Sequence, residues 1–134
     1  MAQGRNVKTP GSGAPDGVGG EGGAQGREAA RASEHRRAIE DWRHRIDAID
    51  SQLMSLLNSR SACAVEIGRI KRELGLPVYS PEREAFILDR VAAENPGPLD
   101  ATAVRRVFER IIDESRRLER IACEAEAKEK EKRD

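Results

Sequence analysis

The sequence predicts an all-α protein with one long, one short and one medium helix, paired with a second copy as an intertwined homodimer. Three observations carry this. From Ile39 to Leu74 apolar residues recur at alternating spacings of three and four, with no proline among them. Two shorter segments of the same period follow, each opened by a capping residue, and no alternating strand pattern accompanies them. The first helix is also too long for the domain that would have to hold it.

The chain of 134 residues opens on a segment that cannot build a core. Nine of its 12 glycines fall between Gly4 and Gly26, together with Pro10 and Pro15 and almost no large apolar residue. Such a composition buries too little surface to offset its ordering entropy, so residues 1–34 are expected to be disordered. A helical domain over residues 35–123 follows. The last stretch, 124–134, is nearly all charge and alanine and reads as a fraying, solvated tail.

The long helix is marked by Ile39, Trp42, Ile46, Ile49, Leu53, Leu56, Arg60, Cys63, Ile67, Ile70 and Leu74. It should stop at Gly75, which suits a left-handed cap, with Pro77 just beyond. Ser80 reads as an N-cap with Pro81 at the first helical position. The short helix then runs to about Glu94, with Ala85, Leu88, Val91 and Ala92 on its apolar face, and Asn95-Pro96-Gly97-Pro98 breaks it. Asp100 caps a third helix to about Ala122, carrying Val104, Phe108, Ile111, Ser115, Leu118 and Ala122.

Length argues for the dimer. A helix from Ile39 to Leu74 spans about 53 Å. A compact domain of about 90 residues has a radius of gyration of only about 12 Å. The seam would stay exposed unless another chain covers it.

Composition excludes several classes. Lys+Arg and Asp+Glu are equal at 24 each and aromatics are 3%, so neither a basic footprint nor stacking platforms for nucleic acid are present. No apolar run has the length of a membrane span or the form of a signal peptide. Cys63 and Cys123 lack metal-ligand spacing and read as buried free thiols of a cytoplasmic protein, with no metal expected.

Two polar residues break the apolar pattern: Arg60 in the long helix and Ser115 in the third. Alone, each could simply set register or oligomeric state. Their neighbours favour a site. Lys71 lies eleven residues after Arg60, three turns on and about 16 Å along nearly the same face. Two long side chains so placed can reach opposite ends of one small dianion. Glu119 follows Ser115 by four and shares its stripe. Arg83 and Glu84 open the short helix, where backbone amides favour anions.

These residues, in this order, resemble the helical chorismate mutases. Trp42 to Asp50 resembles that family's opening Arg-x-x-Ile-Asp-x-Ile-Asp element. Leu56 to Arg60 and Val65 to Lys71 resemble its Leu-Leu-x-x-Arg and Val-Gly-x-x-Lys elements. Pro77 to Glu84 resembles Pro-Val-x-x-Pro-x-Arg-Glu, and Phe108 to Glu119 its third-helix signature. The likeness spans about Ile39 to Ala122.

The resemblance implies an isomerase that converts chorismate to prephenate, in aromatic amino-acid biosynthesis, by an intramolecular Claisen rearrangement without a cofactor. Such an enzyme holds the substrate in a compact chair and stabilises charge growing on the ether oxygen. By resemblance, Arg43 and Lys71 bind the enolpyruvyl carboxylate, and Lys71 also donates to the ether oxygen. Arg60 and Ser115 hold the ring carboxylate, assisted by Arg83, while Glu84 accepts from the ring hydroxyl. Arg43 precedes Arg60 by seventeen residues, about 25 Å on one helix, so it would serve the partner's site.

Two positions depart from the pattern. Ser80 stands where many relatives have Asp, and its backbone amide could still meet the hydroxyl. Glu119 stands where many have Gln beside the ether oxygen, so it helps only when protonated. Burial raises its pKa and neighbouring cations lower it, and the sequence does not rank the two. Rival readings are an isochorismate-pyruvate lyase on the same scaffold, which Glu84 disfavours, and a non-catalytic helical dimerisation or regulatory domain. A partner enzyme of the aromatic pathway is compatible with either enzymatic reading.

Overall fold

The computed structural model describes residue 4, residues 9–13 and residues 21–134, apart from the side chain of Glu21. Among these residues it contains three helices and no strand: α1 (Glu21–Glu73), α2 (Pro81–Glu94) and α3 (Ala101–Arg133).

Helix α1 begins well before the apolar seam. Residues 21–34, expected to lack order, are helical. Gly22, Gly23 and Gly26 weaken a helix by about 1 kcal/mol each. The run from Arg27 to Ala32 consists of strong helix formers, and extending an existing helix needs no new nucleus. The rest of the expected disorder, at residues 1–3, 5–8 and 14–20, lies outside the described residues. Helix α3 likewise passes the expected end near Ala122 and continues to Arg133. Its Glu, Lys and Ala sequence has high helix propensity, and Glu126 is paired with Arg72 at 3.2 Å.

The helix ends follow their local chemistry. Gly75 adopts φ +67°. The Leu76 amide donates to the Lys71 carbonyl at 2.8 Å and the Gly75 amide to the Arg72 carbonyl at 3.2 Å. This is a Schellman closure, which only a residue tolerant of left-handed backbone allows without strain. The Ser80 hydroxyl accepts from the Arg83 amide at 3.3 Å, with Pro81 at the start of α2. The Asp100 carboxylate accepts from the Ala103 amide at 2.7 Å.

Contacts divide the chain between Asp47 and Ala48. In the first unit, residues 22–47 of α1 are exposed apart from half-buried Ala32. Its apolar members Ile39, Trp42 and Ile46 are about half exposed or more. The Arg45 guanidinium lies over the Trp42 ring, 4.7 Å from its centroid.

The second unit holds the core. α2 packs directly against α3, burying Ile87, Val91 and Ile112 with Leu88, Val104 and Phe108 packed around them. α1 meets α3 through long side chains instead, at Arg60–Ser115 and Arg72–Glu126. Among the described residues no large side chain is completely buried, and Ile49, Leu53, Leu56, Ile67 and Ile70 of α1 stay about half exposed or more. Standing away from α3 by a side chain's length, α1 leaves space between the helices. No helix among the described residues is long and apolar enough to cross a membrane.

Candidate active site

That space is a cavity of about 240 Å³ in the second unit, walled by α1, the start of α2 and the middle of α3. On α1 the wall residues Arg60, Ala64, Ile67 and Lys71 follow spacings of four, three and four, one face of a helix. α2 contributes Arg83, Glu84 and Ile87 from its first two turns, just after its cap Ser80. α3 contributes Ile112, Ser115, Arg116 and Glu119, again on helical spacing. The isoleucines make the walls apolar. Four cationic side chains face two carboxylates, leaving a formal excess of two positive charges for a guest.

The polar groups are tied down in pairs. Arg60 donates through Nη1 to the Ser115 hydroxyl at 3.1 Å. Ser115 is only 5% exposed, so this bond satisfies a hydroxyl that burial would otherwise leave costly. It also holds the guanidinium fork at the wall. Lys71 donates through Nζ to the Val78 carbonyl at 3.4 Å, a long bond that leaves the ammonium's other protons for a ligand. Arg83 lines the mouth and is exposed, with its guanidinium 5.2 Å from the Phe86 ring centroid.

Glu84 is held by a residue the sequence reading did not single out. Arg116 Nε lies 3.0 Å from Glu84 Oε1, and its Nη2 donates to Oε2 at 3.3 Å. The same Nη2 reaches Asp113 at 3.0 Å, and the Tyr79 ring lies 5.1 Å away over the guanidinium. The available signal was the position of Arg116 on α3, next to Ser115 and three before Glu119.

Burial pushes the Glu119 carboxyl pKa above the ordinary glutamate value, while Lys71, Arg72 and Arg116 pull it down without cancelling the rise. Glu119 lies against Gly68 of α1, where an added methyl would meet it in ordinary contact. A Cβ there would lie 3.5 Å from Glu119 Cγ and Oε2 and 3.3 Å from Arg72 Nη1. Beyond Tyr79, Arg116 and Glu119 a second hollow of about 560 Å³ adjoins the first, lined also by Arg72, Arg120 and Cys123. Contrary to expectation, the two free thiols are not buried: each lines a hollow beside α1, leaving Cys63 exposed and Cys123 half-buried.

The structure therefore gathers seven of the eight expected residues, Arg60, Lys71, Ser80, Arg83, Glu84, Ser115 and Glu119, around one cavity. The lining does not include Arg43. That residue belongs to the first unit, is exposed, and donates to Glu40 at 2.6 Å.

Residues 42–120 match the family described as chorismate mutase type II. Over 82 residues, 58% of this chain, it is 42% identical to the bifunctional chorismate mutase/prephenate dehydratase of Pseudomonas aeruginosa. The chain spans 22% of that relative's length, and about the same share of two further bifunctional or T-protein relatives. Among solved structures, chorismate mutase (form II) of Thermus thermophilus is 38% identical with a TM-score of 0.61, covering 62% of this chain and 94% of its own. Chorismate mutase of Helicobacter pylori, solved in complex with prephenate, is 31% identical with a TM-score of 0.61, covering 66% and 96%.

Proposed function

The chain belongs to the chorismate mutase type II family, and from that premise we propose that it isomerises chorismate to prephenate in the cavity between α1, α2 and α3. The observation that carries this is the convergence of Arg60, Lys71, Arg83 and Arg116 on one small apolar-walled space with net positive lining. Chorismate has two carboxylates, an ether oxygen and a ring hydroxyl, and prephenate keeps both carboxylates. The reaction breaks one C–O bond and forms one C–C bond within the molecule, so no proton, electron or group need be supplied.

The protein's task is orientation and charge stabilisation. Arg60, fixed by Ser115, takes the ring carboxylate with help from Arg83. Lys71 takes the enolpyruvyl carboxylate and donates to the ether oxygen as that bond lengthens. Glu84 and the start of α2 at Ser80 receive the ring hydroxyl. Glu119 donates to the ether oxygen when protonated, and its raised pKa extends the range over which it can.

A second copy completes the site. The exposed seam of α1, including Ile46, Ile49 and Leu53, is apolar surface of the kind a partner helix covers. Arg43 of each protomer then serves its partner's cavity, giving two equivalent sites in a cytoplasmic homodimer. The Pseudomonas aeruginosa relative's name joins the mutase to prephenate dehydratase, which supports a partner enzyme that consumes the product here.

Adding the purified protein to chorismate should abolish the substrate's absorbance and yield prephenate, and Arg60→Ala should not. An unchanged absorbance with the wild-type chain, or release of pyruvate from isochorismate instead, would refute the reading.

A further inference from the structure

Glu84 is the one lining carboxylate held at both oxygens by a single side chain. Arg116 Nε and Nη2 lie 3.0 and 3.3 Å from its two oxygens. The geometry is a two-point grip that only a planar guanidinium makes, and it fixes the direction of the carboxylate as well as its charge. Arg116 is itself held on two further sides, by Asp113 one turn earlier and by the Tyr79 ring. Arg116 also lines the cavity, so the grip closes at the cavity wall.

A carboxylate offers about four lone-pair directions, of which a bidentate guanidinium uses two. The remaining two stay available to a donor in the cavity. Without Arg116, Glu84 would rotate about three side-chain torsions, and a substrate would have to order it on binding.

We propose that Arg116 is a positioning residue that holds the Glu84 carboxylate in the orientation from which it accepts the substrate's ring hydroxyl. This rests on the reading of the cavity as a chorismate site. Arg116 is placed to reach no reacting atom, and it acts on the ring hydroxyl through Glu84. Its pull on the Glu119 carboxyl, the weakest of the three cations there, moves the pH profile rather than the coupling between residues 84 and 116. Arg116 contributes to preorganisation, in that the acceptor is aimed before substrate arrives.

The test is a double-mutant cycle in the full-length protein, with kcat and KM for chorismate measured for wild type, Arg116→Ala, Glu84→Ala and the pair. Arg116→Ala should lower kcat/KM about tenfold, the order expected for misdirecting one charge-assisted hydrogen bond. In the Glu84→Ala background the same change should cost less than about twofold. Arg116→Lys, checked by helicity for intact folding, keeps the charge without the fork. It should recover only part of the loss, and its effect should also vanish without Glu84. An equal loss in both backgrounds, or full activity of Arg116→Lys, overturns the inference while leaving the mutase reading standing. A wild-type chain inert toward chorismate overturns both.

Discussion

The Arg60 guanidinium donates to the Ser115 hydroxyl at 3.1 Å, joining α1 to α3 across the floor of the cavity. Each partner explains the other's place in an apolar pattern. Ser115 is buried and needs a donor or acceptor, and Arg60 needs an anchor that leaves its remaining N–H groups toward the cavity. Arg60→Ala should lower kcat/KM by about a hundredfold or more, since on the proposed assignment it removes a charged contact to the substrate's ring carboxylate. Ser115→Ala keeps the charge but frees the fork and should cost roughly tenfold. Steady-state kinetics of the two variants check the order, and a larger loss for Ser115→Ala would contradict it.

In the proposed mechanism Glu119 sets the pH dependence. Its pKa is raised by burial, and only the protonated carboxyl can donate to the ether oxygen. Activity should therefore fall as pH rises through that raised pKa. Glu119→Gln, whose amide donates at every pH, should flatten the profile and raise kcat several-fold at neutral pH. The same shift acts on stability with a defined sign. The group's favourable contribution is complete below its unfolded pKa and is lost as pH rises through the folded one. Thermal unfolding of wild type should thus lose ground to Glu119→Gln from acid toward neutral pH, and parallel curves would show the carboxyl is not shifted.

How far these features were legible depends on how local their causes are. Gly75, Ser80-Pro81 and Asp100 announce helix ends through their own backbone and side-chain chemistry, and the ends lie where they point. The wall positions Arg60, Lys71, Ser115 and Glu119 follow from helical period, because one face of a helix is a matter of counting. The start of α1 was not legible, since glycines at 22, 23 and 26 suggest disorder while the alanine- and arginine-rich run beside them carries the helix. Arg116 was legible only as a neighbour of Ser115 and Glu119 on α3, not as the holder of Glu84. Its partner Glu84 is 32 residues away on another helix, and an arginine on a half-exposed face leaves no mark in the apolar pattern.

Gly75 should resist substitution. Its φ of +67° places any side chain in the left-handed region, at a cost of about 1 kcal/mol. Gly75→Ala should lower the unfolding midpoint by several degrees, as about 1 kcal/mol does in a domain of this size. Because Lys71 and Val78 flank this turn and meet at 3.4 Å, KM should rise as well. An unchanged midpoint would mean the turn relaxes to another closure.

Complementation between inactive chains tests whether Arg43 acts across the proposed dimer. Arg43→Ala and Arg60→Ala should each be nearly inactive alone, because every site in either homodimer lacks one cation. After unfolding and refolding in an equal mixture, half of the dimers pair one variant with the other. In those, one site receives Arg60 and the partner's Arg43 intact, and the other site lacks both. About a quarter of all sites should then be active, and kcat per chain should recover to about a quarter of wild type. If Arg43 instead served its own protomer's cavity, each site would still carry one defect whatever the pairing. Activity that stays at the level of the separate variants, in a mixture shown by native mass spectrometry to contain the mixed dimer, would place Arg43 outside the partner's site.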